Sequence, residues 1–301
     1  MKKIGILYDN ISQNTGDLAV GLSIKKILRK IKVHYTELIP GKSNPDEYDR
    51  IIIGGGLLLR KKGDFFYDKF RIRGSHILNC VGIYDHPHDL NYLEKYTYLS
   101  VRSTYDAKQL DYLKKQVSVV PCTSLLLKDL PVNLKIKHPA LGIHCINADN
   151  FYEILTIINK YAGNFHIYLL PITHYNYDFD FQEKLYKLAS VNKKNKIFQL
   201  PILNPLEIFT IIGKFDYFIS YSLHGALFAY AHNVPFLLWN NPTDKKMIAF
   251  MNDRNLTNTF TAEQLENKLE QLLNSKNDYS KLFRKDIERI NNHITILKSL
   301  L

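Results

Sequence analysis

Cysteine is scarce in this chain. Only Cys80, Cys122 and Cys145 occur in 301 residues, and no two are spaced as C-x-x-C. An odd, scattered set of this kind argues against a disulfide framework and a zinc site, and leaves each thiol as a small core residue in an apolar context. Long hydrophobic runs are missing too. The longest apolar region, 215–239, is interrupted by Asp216, His224, His232, Asn233 and Pro235, which a membrane span would not tolerate without partners. The opening Met1-Lys-Lys-Ile-Gly-Ile-Leu-Tyr8 reaches Asp9 after too short an apolar run for a signal peptide, so a cytoplasmic location is the expectation. There is no basic tail, no internal repeat and no low-complexity tract. Neither G-x-G-x-x-G nor a G-K-[ST] phosphate loop is present. No basic stripe with interleaved aromatics appears, so nucleic acid is not an expected partner.

What remains is a globular composition with 46% hydrophobic residues, and a length sufficient for two domains with separate cores. Lys and Arg number 40 against 29 Asp and Glu, a formal charge of +11 spread over both halves. Such an excess reads mainly as a surface of solvated lysines. It also favours phosphorylated ligands and the anionic inner face of a membrane, where peripheral contact is an expectation.

The pattern along the chain alternates strand and helix. Lys3 to Tyr8 reads as a buried strand, and the polar loop 9–17 leads into a helix carrying Leu18, Leu22, Ile27, Leu28 and Ile31 on one face. Asn14, Gly16 and Asp17 sit where loop meets helix. Gly16 is suited to a positive-φ turn there, and Asp17 either to capping the helix or to holding a substrate hydroxyl. Strands are expected at Val33–Leu38 and Tyr48–Ile53, the latter running into Gly54-Gly55-Gly56, where backbone N–H groups can approach a ligand. Further strands are expected at Ile77–Tyr84 and Tyr96–Val101, then a helix over Thr104–Lys115 and a strand from Val117 to Pro121. Asp85-His-Pro-His88 has two histidines and an acid but no third ligand at familiar spacing, so no metal is assigned. Arg102, just past a strand end, suits a carboxylate or phosphate.

Prolines and mixed charge over Lys128–Pro139 mark a linker, dividing an N-terminal Rossmann-like domain, residues 1–130, from a C-terminal one, residues 139–301. The last helix, Tyr279 to Leu300, is expected to pack back on the N-terminal domain. In the second half, Asn204-Pro205-x-Glu207 and Thr261-x-x-Gln264 are helix starts. Between them, Phe215 to Ser220 reads as a buried strand and Ala226 to Ala231 as a helix. Ser222, His224 and Gly225 lie in the turn that joins them. At the carboxyl end of a strand in an open α/β sheet, such a turn faces ligands, and a helix start favours anions. The fold class expected is α/β, with two Rossmann-like domains facing across a cleft in a GT-B-like arrangement.

Asn14-Thr-Gly-Asp17, Gly54-Gly-Gly-Leu57, Ser100-Val-Arg102, Ser220-Tyr-Ser-Leu-His-Gly-Ala226 and Asn233-Val-Pro235 occur in an order and spacing that resembles the polysaccharide pyruvyl transferase family. The Lys245/Lys246 pair resembles that family's tail. The resemblance implies a transferase that moves the enolpyruvyl unit of phosphoenolpyruvate onto two hydroxyls of a sugar, on a lipid-linked or nucleotide-linked precursor of a capsule or exopolysaccharide. It implies no cofactor and no metal, phosphoenolpyruvate being a substrate.

By the same resemblance, Arg102 and His224 serve the donor, with Ser222, Gly225, Lys245 and Lys246 beside them. Asp17 serves the acceptor or acid/base chemistry, with Asn14, Gly16, Gly54, Gly55 and Gly56. The chemistry of these groups fits the reaction. His224 can act as acid or hold phosphate, Arg102 can hold carboxylate, and Asp17 can take a proton from a sugar hydroxyl. Two positions depart from the family. Ser222 stands where the family has arginine, and a serine cannot replace a bidentate cation. Cys122-Thr123 stands where the family has Asp-Pro. A glycosyltransferase using a nucleotide sugar, and an inactive member that binds glycan or aids assembly, are the alternative readings.

Overall fold

The computed structural model describes residues 2–56, 58–59, 75–83, 90–146, 150–173, 175–189, 195–241 and 245–301. Asp85, His86 and His88 lie outside the described residues, as does Leu57. The chain divides into two compact units, one of residues 1–127 with 284–301 and the other of residues 128–283.

Unit 1 is built on short parallel strands. β1 (Ile4–Leu7), β2 (Thr36–Glu37), β3 (Arg50–Gly54) and β4 (Ile77–Asn79) form a sheet in the order β2-β1-β3-β4. β5 (Leu99–Val101) pairs with β6 (Val117–Val119), and single bridges Ile77 to Tyr98 and Val81 to Val101 continue the parallel run from β4 to β5. Their near-continuous Ile, Leu and Val content follows from burial on both faces. Leu7, Ile51, Ile53, Leu78, Val81, Leu99 and Val101 share one core cluster. Helix α1 (Thr15–Lys30) turns Ala19, Val20, Ile24, Ile27 and Leu28 inward and leaves Arg29 and Lys30 at its C-terminal end, where they complement the helix dipole.

Three expected elements come out shorter, each for a visible reason. The strand expected over Val33–Leu38 is reduced to β2. The Val33 N–H is still closing α1 on the Leu28 carbonyl at 2.9 Å, and Lys32 adopts φ 58°. The strand expected over Ile77–Tyr84 is unbroken only to Asn79, because Cys80 takes φ 54° and kinks the chain; single parallel bridges follow at Val81 and Ile83, and Tyr84 lies outside the described residues. The helix expected over Thr104–Lys115 is α2 (Thr104–Lys108) followed by turns. There the Lys114 N–H goes to Glu94 at 3.1 Å, Lys115 Nζ to the Tyr96 carbonyl, and Tyr112 Oη accepts the Leu90 N–H at 3.2 Å. Contacts to 90–96 thus outbid helix propensity.

Unit 2 is a six-stranded parallel sheet in the order β12-β11-β10-β7-β8-β9. Its strands are β7 (Ala140–His144), β8 (His166–Leu169), β9 (Ile197–Gln199), β10 (Tyr217–Ser220), β11 (Phe236–Trp239) and β12 (Thr259–Phe260). The helices are α3 (Phe151–Tyr161), α4 (Tyr175–Ala189), α5 (Pro205–Ile212), α6 (Leu223–Ala231), α7 (Lys245–Asn252) and α8 (Leu265–Leu273). Asn204 caps α5 in a full capping box with Glu207, and Pro205 occupies the first turn. Helix α9 (Ser280–Leu300) belongs to unit 1 from Arg284 onward.

The segment 128–139 that was read as a linker falls in the second unit, and the last helix, expected to pack back on the N-terminal domain, falls in the first from Arg284 onward. That segment is tied down by side chains of unit 2. The Leu130 N–H donates to Thr210 Oγ1 (3.1 Å), the Lys137 N–H to Tyr168 Oη (2.7 Å), and His138 Nδ1 meets Asp216 at 2.8 Å. Composition reported the irregular backbone correctly but could not report its hydrogen bonds.

Candidate functional site

In each unit the chain runs to one side of its first strand and then returns to the other, which creates a topological switch point. In unit 1 this lies between β1 and β3, and in unit 2 between β7 and β10. Ligands of open α/β sheets enter at the carboxyl ends of such strands. The start of α1 and the glycine turn after β3 stand at the first switch point. The turn after β10 stands at the second.

At the first, Asn14 is the cap of α1, its Oδ1 accepting the Gly16 N–H at 2.9 Å. This corrects two expectations. Gly16 is an ordinary helical residue, positive φ falling instead on Gln13 at 56°, and Asp17 is not the cap. Asp17 is left half-buried in the first turn and lies against Gly56. A side chain at Gly56 would overlap the carboxylate, its Cβ standing 3.2 Å from Cγ and closer still to Oδ1, and φ there is 54°. Glycine is required on both counts. Gly54, by contrast, is explained by packing, since a Cβ there would run into Ile24 of α1.

The contact chain continues across the sheet. The Gly82 N–H donates to the Gly56 carbonyl at 3.0 Å, and the Arg102 guanidinium lies on Gly82, where a Cβ would stand 2.6 Å from Cζ and 2.8 Å from Nε. Asp106, four residues on, is 3.9 Å from Arg102 Nε; it accepts from Ser103 Oγ (2.5 Å) and from the Ile83 N–H (3.1 Å). The Arg102 side chain is 8% exposed, and its Nη2 is buried without a hydrogen-bond partner. Unit 1 therefore brings Asp17, Gly56 and Arg102 to one edge, an acid and a cation separated by two glycines. Gly82 was not singled out in the sequence, although a lone glycine within an apolar strand pattern is a recognisable sign of close backbone approach.

Past the end of β6, Cys122 is buried, and its Sγ lies 3.1 Å from Ser124 Oγ. Burial pushes the Cys122 thiol up, and Asp17 adds to the rise, while Ser124 and Arg102 oppose it. Beneath lies a buried polar chain. Ser23 Oγ meets Thr123 Oγ1 at 2.7 Å, Asn79 Nδ2 reaches Thr123 at 3.4 Å, and Asn79 Oδ1 meets His293 Nε2 of α9 at 2.7 Å.

At the second switch point Ser222 is the N-cap of α6, with φ −134° and ψ 150°, and its Oγ accepts the Gly225 N–H at 3.2 Å. Ser220 Oγ braces the turn by donating to the Ser222 carbonyl at 2.8 Å. Gly225 has no room for a side chain, since a Cβ would overlap Ser220 Oγ. His224 is the half-buried second residue of α6, its ring 6.0 Å from that of Phe228. Lys245 and Lys246 lie in the first described turn of α7, a separate element.

A buried pair escaped sequence reading altogether. His144, the last residue of β7 and the register partner of Ser220, places Nε2 3.1 Å from Asp178 of α4. Burial alone would raise the Asp178 carboxyl. The His144 hydrogen bond and the Thr173 and Ile172 N–H groups, at 2.7 and 3.1 Å, hold it below its ordinary value.

The polysaccharide pyruvyl transferase family pattern matches residues 14–241, from the cap of α1 to just past β11. The chain belongs to the polysaccharide pyruvyl transferase family. No curated protein matches it. Among solved structures it resembles the UDP-GlcNAc 2-epimerase from Methanocaldococcus jannaschii, at 13% identity over 97% of this chain and 98% of the other, with TM-score 0.62. It also resembles a glycosyltransferase from Rickettsia africae ESF-5, at 13% identity over 99% and 97% of the two chains, with TM-score 0.57. Such similarity concerns the fold, and it agrees with the expected GT-B-like class of two Rossmann-like α/β units. Among the described residues no helix is long and apolar enough to cross a membrane.

Proposed function

We propose that this pyruvyl transferase family member takes the enolpyruvyl unit of phosphoenolpyruvate and joins it as a ketal to a saccharide of a cell-surface glycan precursor. The observation that carries the reading is Arg102, a guanidinium more than nine-tenths buried, with Nη2 unpartnered and a carboxylate of its own cluster nearby. A buried, incompletely bonded arginine suits a small carboxylate, which it can grip through two parallel hydrogen bonds. Asp17 is assigned the proton of the attacking sugar hydroxyl, with Asn14, Gly16 and Gly54 to Gly56 around it on the acceptor side. His224, Ser222, Gly225, Lys245 and Lys246 are assigned to the donor's phosphate. A lipid-linked or nucleotide-linked acceptor, and work at the cytoplasmic face of the membrane, belong to the same proposal.

Ser222 favours a second reading. Its hydroxyl is engaged in capping α6, so it supplies no cation to a donor phosphate, and a nucleotide-sugar glycosyltransferase or a glycan-binding protein is the competing assignment. Thermal stabilisation separates the two. Phosphoenolpyruvate is expected to raise the melting temperature; stabilisation by uridine or cytidine nucleotides alone would replace the proposal with its competitor.

A further inference from the structure

A phosphate at the start of α6 meets helix N–H groups, but a dianion taken out of water needs positive charge as well. Within the turn after β10, only His224 can supply it. Ser222 Oγ is taken up by the Gly225 N–H, and Gly225 has no room for a side chain. The neighbouring strand end is that of β7, whose last residue, His144, is paired in register with Ser220. Such partners in a parallel ladder lie about 5 Å apart and turn their side chains to the same face. The imidazole therefore stands beside Ser220 Oγ, which itself lies 3.3 Å from the Ser222 nitrogen, and the Tyr221 N–H ties the two strand ends together on the His144 carbonyl at 3.2 Å. His144 Nε2 is 3.1 Å from Asp178 Oδ2 and 3.5 Å from Thr173 Oγ1, on the β8 side of β7. β10 flanks β7 on the other side. The two ring nitrogens diverge, so Nδ1 is turned from α4 toward the side where α6 starts. His144 is fully buried, and Nδ1 has no hydrogen-bond partner among the described residues. A buried nitrogen left in this state is an independent sign that a ligand completes the site.

We infer that His144 is a further anion-binding residue of the donor site, presenting Nδ1–H to the donor's phosphate at the start of α6 while Asp178 holds Nε2. The inference rests on the placement of the donor phosphate at α6 in the reading above. The chemistry recognised is a phosphoryl group, whether the monoester of phosphoenolpyruvate or the diphosphate of a nucleotide sugar. Asp178 is the positioning residue. Its Oδ2 accepts from Nε2 and from the Ile172 and Thr173 N–H groups, at 3.1 and 2.7 Å. Three N–H donors on one oxygen suit the charged carboxylate. A carboxylate on one side of the ring offsets a proton on the other, so the imidazole can carry a hydrogen on each nitrogen when a phosphate is there to receive it. His144 then brings to the turn the positive charge that Ser222 does not. Closed off from water, such a charge-assisted hydrogen bond is stronger than at the surface.

The test compares the full chain as wild type, His144→Gln and Asp178→Asn, with binding of phosphoenolpyruvate, inorganic phosphate and UDP followed by calorimetry. Glutamine keeps an N–H for Asp178 but carries no charge. Asparagine keeps an acceptor oxygen for the Ile172 and Thr173 N–H groups but no longer offsets a charged ring. Melting temperatures without ligand show whether each variant folds. His144→Gln is expected to bind phosphoenolpyruvate and inorganic phosphate about 10- to 100-fold more weakly, and Asp178→Asn to weaken both in the same direction, each with its folded transition kept. Inorganic phosphate has no carboxylate for Arg102, so its share in the loss places the contact on the phosphoryl group. Affinities of folded His144→Gln within a few-fold of wild type would overturn the inference. If that variant does not fold, unchanged affinities in Asp178→Asn would overturn it; so would loss of the folded transition in both variants, which would make the pair structural. A wild type that binds UDP and not phosphoenolpyruvate, with UDP weakened in the variants, would replace the donor and uphold the His144 contact. A wild type that binds none of the three would remove the phosphate site beneath the inference, before any variant is compared.

Discussion

Acid should loosen unit 1 through His293, by an amount that follows from its surroundings. The imidazole is 1% exposed. Its Nε2 meets Asn79 Oδ1 at 2.7 Å, its Nδ1 lies 3.3 Å from Tyr98 Oη, and the Tyr98 ring stacks on it at 5.5 Å. Asn79 Oδ1 only accepts, so Nε2 carries the hydrogen and the neutral ring already meets both neighbours. No carboxylate is among these contacts, and burial lowers the histidine from 6.5 to about 4. The unfolded chain takes up a proton near pH 6.5, whereas the folded chain refuses it until about pH 4. Stability from this group is therefore fully present above pH 6.5 and lost as pH falls from there through 4. The gap of about 2.5 pH units corresponds to about 3 kcal/mol.

Urea unfolding at pH 7, 6, 5 and 4, compared with His293→Gln, isolates the effect. Glutamine can still donate to Asn79 but does not titrate. The stability difference, wild type minus variant, should fall by about 3 kcal/mol across this range; a difference that stays flat would refute the reasoning.

Other substitutions read other parts of the structure. Gly82→Ala places a methyl group on the Arg102 guanidinium and is expected to weaken phosphoenolpyruvate binding about 10- to 100-fold, the worth of a charge-assisted hydrogen bond; unchanged affinity by calorimetry would show that Arg102 does not hold the donor. Ser222→Ala removes the cap of α6 and should cost about 1 kcal/mol in urea unfolding, whereas no measurable change would mean that the turn is held by Ser220 alone. Asp178→Ala strands His144, the buried Ile172 N–H and the part-buried Thr173 N–H and should cost about 3 kcal/mol or more. A loss below about 1 kcal/mol would show that water replaces the carboxylate.

The alternation of strand and helix was legible because parallel strands buried on both faces leave unbroken runs such as Ile51-Ile-Ile53, and because Asn204-Pro205-x-Glu207 spells out a helix start. Element lengths were not legible. They depend on partners distant in sequence, as when Glu94 and Tyr96 draw Lys114 and Lys115 away from helix, or on one backbone angle, as at Cys80. The candidate site could be nominated from sequence where residue type implies chemistry at a strand end or a helix start, as at Arg102, Asp17 and His224. It was not legible where a residue acts by lacking a side chain, as Gly82 does. Nor could it be read where burial creates the property, as for the pair His144 and Asp178, which are 34 residues apart. Ser222 shows a third limit. Its mismatch with the family was visible in sequence, but its capping of Gly225 had to be seen.

The most direct test of the central claim is phosphate release from phosphoenolpyruvate by the purified protein in the presence of a lipid-linked oligosaccharide acceptor. The account predicts release that depends on acceptor, is lost in Arg102→Ala, and accompanies a pyruvate ketal on the glycan. Acceptor modification from a nucleotide sugar, with phosphoenolpyruvate left untouched, would contradict it.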